Sequence, residues 1–183
     1  MPQVTDTFNR ADQDTEFMNH ATRLPKPSAR QLYTQASHFF AFGFGSGMAP
    51  KAPGTFGTLA AIPIYWLIAD LSLPLYVLWL LVTFALGVFW CDRSSKALQV
   101  HDHPGIVWDE MVGYWLTMLL APAGWLWMLA GFVLFRIFDI LKPWPIGAID
   151  RKVHGGLGIM LDDILAAVYA WLVLQALALW LAP

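Results

Sequence analysis

The chain has 183 residues, of which 57% are hydrophobic and only 13% charged, and its mean hydropathy of +0.52 is high for a soluble chain. This balance puts the bilayer first among environments, and ten Trp with twelve Phe suit the boundary between hydrocarbon and head groups. A net charge of −2 without any Lys/Arg run excludes nucleic acid as a partner, and the lone Cys91 excludes a disulfide scaffold.

Residues 1–30 are polar and hold Arg10, Arg23, Lys26 and Arg30, with no apolar stretch or cleavage site of the signal-peptide kind. They are expected to form a retained, flexible tail, and residues 31–183 a single helical domain. From Gln31 to Phe44 aromatics alternate with polar side chains, as in a helix lying along the membrane interface.

Apolar runs then cover Gly54 to Asp70, Leu75 to Cys91, Trp108 to Ala121, Trp125 to Leu141 and Ile159 to Leu181, broken by Pro, Gly or charged residues. The expected fold is therefore all-α: a polytopic membrane bundle of about four to five embedded helices plus the N-terminal interfacial helix. Only the last run reaches the roughly 20 residues of an upright span, and the third is short enough to be buried in protein instead. The connections Asp70 to Pro74 and Ala121 to Trp125 contain no Lys or Arg, whereas all eleven basic residues lie in or beside the opposite set of segments. The positive-inside rule then puts those two connections outside and the remaining ones in the cytoplasm.

With that orientation, Asp109 and Glu110 open the third helix, Arg136 and Asp139 close the fourth, and Asp162 and Asp163 sit one turn into the fifth, all at the cytoplasmic end. Ionised carboxylates near membrane depth are costly, and five of them together call for a cation. An all-oxygen set favours Mg²⁺, Mn²⁺ or Ca²⁺ over Zn²⁺, and Mg²⁺ usually shares its shell with phosphate oxygens. Asp163 is in line with Ala166, Ala167 and Ala170, a small-residue stripe that packs inward, while Asp162 points about 100° away. Asp163 is thus the better ligand of the two. The competing reading pairs these acids with Arg136, Lys142 and Arg151 as structural ion pairs.

Two glycine-rich segments, Gly43-Phe44-Gly45-Ser46-Gly47 and Pro53-Gly54-Thr55-Phe56-Gly57, precede the first run, and His154-Gly155-Gly156 precedes the last. Helix starts of this kind offer unpaired N–H groups to an anion, which nominates Ser46, Gly47, Thr55 and Gly57, with Arg136, Lys142 and Arg151, as phosphate contacts. The alternative is a set of turns with a Thr cap. His101 and His103, ahead of Asp109, and His154 are candidate proton shuttles or solvated loop residues.

Taken in order, Gly43 to Gly47, Pro53-Gly54-Thr55 with Gly57, His101-Asp102-His103 leading to Ile106-Val107-Trp108-Asp109-Glu110, Phe135-Arg136 with Asp139, Lys142-Pro143-Trp144-Pro145, Asp150-Arg151, and His154-Gly155-Gly156 through Asp162-Asp163 resemble the phosphatidylglycerophosphatase A family. The resemblance runs from about Gly43 to Asp163. It implies hydrolysis of the phosphomonoester of phosphatidylglycerophosphate to phosphatidylglycerol, with Mg²⁺, on the cytoplasmic side of a bacterial inner membrane. In that reading Asp109, Glu110, Asp139 and Asp163 hold the metal, with Asp162 beside them, and His103 and His154 stand by as proton carriers.

Other phosphatase chemistries lack their patterns. Ala97, not Arg, stands six residues after Cys91, and no Asp-x-Asp-x-Thr or Pro-Ser-Gly-His run occurs. The alternative from a different class is a small cation-coupled membrane transporter, whose site would lie near the midplane on broken helices. Neither oligomeric state nor the choice between water and an aspartate as attacking group is legible in the residues.

Overall fold

A computed structural model describes residues 25–100, 103–147 and 153–181, and within them every regular element is helical. Two short helices, α1 (Ala29–Thr34) and α2 (Ala36–Ala41), lead through a 3₁₀ segment (Gly43–Met48) to α3 (Pro53–Ile68), α4 (Leu73–Leu98), α5 (Trp108–Thr117), α6 (Trp125–Leu141) and α7 (Gly155–Leu181). The expected tail lies mostly outside the described residues.

The stretch read as one interfacial helix is broken at Gln35, where the backbone becomes extended (φ −109, ψ 108) and serves as C-cap of α1 and N-cap of α2. Ser28 starts α1 with a capping box, its hydroxyl accepting from Gln31 N while the Gln31 side chain reaches back. Ala41 and Phe42 are fully buried, so this segment ends inside the bundle and packs on α4.

The short apolar run at Trp108 has a simple explanation. Helix α5, only 10 residues long, is surrounded by the other helices, and eight of its residues are buried. Met111, Val112, Tyr114 and Trp115 are all fully buried. Three core aromatics donate to carbonyls of neighbouring helices: Trp115 Nε1 to Ala61 O (3.0 Å), Trp108 Nε1 to Thr83 O (3.0 Å) and Tyr76 Oη to Trp115 O (2.7 Å). These bonds also fix directions. Along α5, Trp108 meets Thr83 and Trp115 meets Tyr76, so α4 runs antiparallel to it. Gly113 lies against Phe135 and Met118 against Gly131, which makes α6 antiparallel as well. Trp171 Nε1 donates to Leu119 O (2.8 Å) and Gly113 approaches Asp163 O, so α7 runs alongside α5 in the same direction. The starts of α3, α5 and α7 and the ends of α4 and α6 consequently share one end of the bundle.

Two helices, α4 and α7, are long and apolar enough to cross a membrane, and in each the most apolar window is only 22% buried by the protein. Both are longer than their apolar runs. Helix α4 continues past Cys91 through Asp92, Arg93 and Lys96, held by an i,i+4 ion pair between Asp92 and Lys96 (2.6 Å), and α7 begins at Gly155. The early start places Asp162 and Asp163 two turns into α7, about 10–12 Å from its first residue.

Candidate functional site

At the shared end of the bundle α3, α5, α6 and α7 enclose a cavity of about 330 Å³. Helix α5 delivers Asp109 and Glu110 in its first turn, where a helix N-terminus favours negative charge. Asp109 Oδ1 also accepts from Glu110 N (3.0 Å), which steadies that turn. Helix α6 delivers Arg136 and Asp139 one turn apart. It then stops at Lys142, whose left-handed backbone (φ 40, ψ 57) precedes Pro143 and turns the Lys142 side chain toward α7. Helix α7 supplies Asp162 and Asp163.

The acids divide into two groups. Asp109, Glu110 and Asp163 each present a carboxylate oxygen within 4.8 Å of the other two. Asp163 is 3% and Asp109 7% exposed, and Asp163 Oδ2 is buried with no hydrogen-bond partner among the described residues. A hard divalent cation fits this arrangement, because the donors are all oxygen, they converge, and a buried Asp163 oxygen is left without a hydrogen-bond partner among the described residues. Asp139 and Asp162 are instead engaged by bases: Asp139 Oδ2 lies 2.5 Å from Arg136 Nη1 and Asp162 Oδ2 lies 2.6 Å from Lys142 Nζ. Arg136 Nη1 also reaches Glu110 Oε1 at 3.6 Å, linking the two groups.

Pro53 and Gly54 close the cavity from α3. A Cβ on Gly54 would run into Glu110 Oε1 and come within 3.0 Å of Arg136 Nη1, so only glycine lets α3 approach the charged cluster this closely. Gly54 was not among the expected phosphate contacts, and the four that were, from the glycine-rich segments, lie elsewhere. Ser46 Oγ donates to Gly43 O (2.8 Å), Gly47 is buried against the Gly105 carbonyl, Gly57 is buried against Val107, and Thr55 is half-buried. None of these four lines the cavity, whereas Arg136 and Lys142 do. Arg151 and His101 fall outside the described residues.

His154 is exposed just ahead of α7. His103 is fully buried beneath the loop into α5. Its Nδ1 accepts from Gly105 N (2.9 Å), so its proton is assigned to Nε2. Burial, with the Lys26 charge adding to it, holds this imidazole below its usual range. Pro104 and Ile106, next to it, line the cavity, but His103 itself does not.

One supporting residue escaped the sequence reading. Asp92 Oδ1 accepts from Gly156 N (3.2 Å), so α4 caps the start of the helix that carries Asp162 and Asp163. The only local signal was a single acid immediately before Arg93 and Lys96.

A helical bundle, among the described residues, with a cavity in which carboxylates and bases face each other is the class that this fold and site define. A family model described as phosphatidylglycerophosphatase A matches residues 39–178, which spans every described residue lining that cavity. The chain belongs to that family. It is 52% identical over 132 residues to phosphatidylglycerophosphatase A of Escherichia coli K12, covering 72% of this chain and 77% of the relative. It is 44% identical over 146 residues to the Haemophilus influenzae protein of the same name, covering 79% and 90%. A Bacteroides thetaiotaomicron protein provisionally named phosphatidylinositol-3-phosphatase is 41% identical over 146 residues, covering 75% and 90%. No solved structure gives a significant match.

Proposed function

We infer that the chain is a phosphoric monoester hydrolase that converts phosphatidylglycerophosphate to phosphatidylglycerol and inorganic phosphate. Family membership supports the reaction, and one geometric observation supports the site: the Asp109, Glu110 and Asp163 oxygens converge within 4.8 Å while Arg136 and Lys142 line the same cavity.

In this reading Asp109, Glu110 and Asp163 hold Mg²⁺, with Asp139 and Asp162 close by. The bound ion supplies Lewis-acid polarisation of the phosphate and a charge against which the nucleophile is oriented. The chain's own residues do the rest. Arg136, gripped by Asp139 and Glu110, and Lys142, gripped by Asp162, neutralise the non-bridging phosphate oxygens as charge builds on them. Whether attack comes from water or from a carboxylate, that charge develops on the same oxygens, so positioning these two bases stabilises either transition state.

The substrate's acyl chains require access from a bilayer, and the exposed apolar faces of α4 and α7 support membrane embedding, since soluble monomers rarely expose such continuous apolar surface. We place the protein in a bacterial inner membrane as a multi-pass chain. In this arrangement α3 and α6 complete the embedded bundle, α1 and α2 lie near the interface, and the basic end with its cavity faces the cytoplasm. The test is direct: purified protein in detergent is given phosphatidylglycerophosphate with Mg²⁺ or with a chelator. Phosphate release with Mg²⁺ and its loss on chelation are expected. No release in either condition overturns the reading and leaves the cation-coupled transporter.

A further inference from the structure

We propose that a second pocket, between the α1–α2 junction and the inner end of α4, binds the phosphodiester head group of an anionic phospholipid. The proposal rests on the membrane placement given above. The pocket measures about 470 Å³ and is walled by Gln35, Ala36 and Ser37 on one side and by Phe89, Trp90 and Arg93 on the other. None of its walls belongs to the carboxylate cavity.

Charge decides the class of ligand. Arg93 is exposed, and no described carboxylate pairs with it, because the neighbouring Asp92 is engaged by Lys96 (2.6 Å) and by Gly156 N (3.2 Å). The lining therefore carries one positive charge and no negative one. A guanidinium can hold two phosphate oxygens at once, and the Gln35 amide adds a donor beside it.

The absence of any acid among the described residues of the lining disfavours a zwitterionic head group, whose ammonium would meet only Arg93. Of the two faces through which Trp90 could attract an ammonium, one is covered by Phe40, stacked with centroids 4.0 Å apart and planes 13° from parallel. Trp108 meets the same ring edge-on at 5.1 Å. A choline or ethanolamine nitrogen would thus find Arg93 nearby and no acid to balance it. Phe89, 56% exposed on a helix long and apolar enough to span the bilayer, is suited to the glycerol and first methylenes of the lipid. The product of the proposed reaction is itself an anionic phosphodiester lipid, so the pocket suits a molecule of the product's class, one Trp–Trp contact away from the residue preceding Asp109.

Native mass spectrometry of the full-length protein in neutral detergent tests this, with phosphatidylglycerol or phosphatidylcholine of matched chains as probes. Wild type is expected to retain phosphatidylglycerol in preference, and Arg93→Gln to lose about fivefold of that preference, the value of one basic residue at a membrane surface. Arg93→Lys should keep most of it, and Phe89→Ala should weaken both lipids alike. Equal retention of the two lipids by wild type, or unchanged preference in Arg93→Gln, overturns the proposal. Displacement of the lipid by inorganic phosphate overturns it too, assigning the pocket to free phosphate. Hydrolysis assayed in mixed micelles of neutral detergent and phosphatidylcholine should be the same for wild type and Arg93→Gln, so failure of this site and failure of the enzymatic reading give separate results.

Discussion

The two halves of the cavity hold the same kind of residue in opposite circumstances. On one side Asp109, Glu110 and Asp163 converge on each other, and on the other Asp139 and Asp162 each grip a base. Asp162 and Asp163 are chain neighbours, yet the roughly 100° between successive helix positions sends one to Lys142 and the other to the carboxylate cluster. Acids that crowd together create a demand for a cation, whereas acids that pair with bases fix the direction of positive charge. A phosphate monoester needs both: a place for its counter-ion and bases held in advance where its oxygens will sit.

The largest effect is expected at Asp163. Asp163→Asn keeps the shape and removes the charge, and kcat should fall on the order of 10²–10³-fold in the phosphate-release assay while the protein still inserts. A variant within tenfold of wild type would mean that the converging half is not the reacting half. On the other side, Lys142→Gln should cost about 10–100-fold in kcat/KM, with Asp162→Asn costing less because Lys142 keeps its charge. If Asp162→Asn proves as damaging as Asp163→Asn, the two halves are not distinct. Gly54→Ala tests the boundary between them. Its methyl group would push Glu110 off its position beside Arg136, and activity about tenfold lower, with a raised Mg²⁺ requirement, is expected.

The smallest effect concerns His103, outside both halves. Its folded-state pKa lies below the unfolded value, so the unfolded chain binds more protons as the solution acidifies. Its contribution to stability is therefore full above about pH 6.5 and is lost as pH falls below that value. Melting temperatures measured across this range should drop by a few degrees more in wild type than in His103→Asn, whose side-chain oxygen can still accept from Gly105 N.

Much of the bundle was legible because apolar runs have only one way to satisfy both backbone and side chains in this composition. The run from Trp125 to Leu141 appears as α6 with those bounds, and Trp108 does open α5. The burial of α5 at the centre was only hinted at by its length, since periodicity does not separate a short core helix from a membrane-facing one. Among candidate site residues, the acids and bases at helix ends could be picked out because charge in an apolar setting needs a reason. The glycines were harder. Gly54 faces the cluster, but Ser46, Gly47 and Gly57 lie against Gly43, Gly105 and Val107, and the same residue type serves a close approach to backbone or to a charged side chain equally well.

By itself the sequence determined the all-helical class, the family and the gathering of charge at one end, because composition, ordered motifs and the alternation of helix directions depend only on the order of residues along the chain. The tertiary structure decided which acid meets a base and which meets another acid, and that Asp92 caps the start of α7 from 64 residues away in sequence. Those outcomes depend on helix rotation and contact across the bundle: the small-residue stripe already set Asp163 apart from Asp162, but that Asp162 meets Lys142 follows only from how α6 and α7 pack.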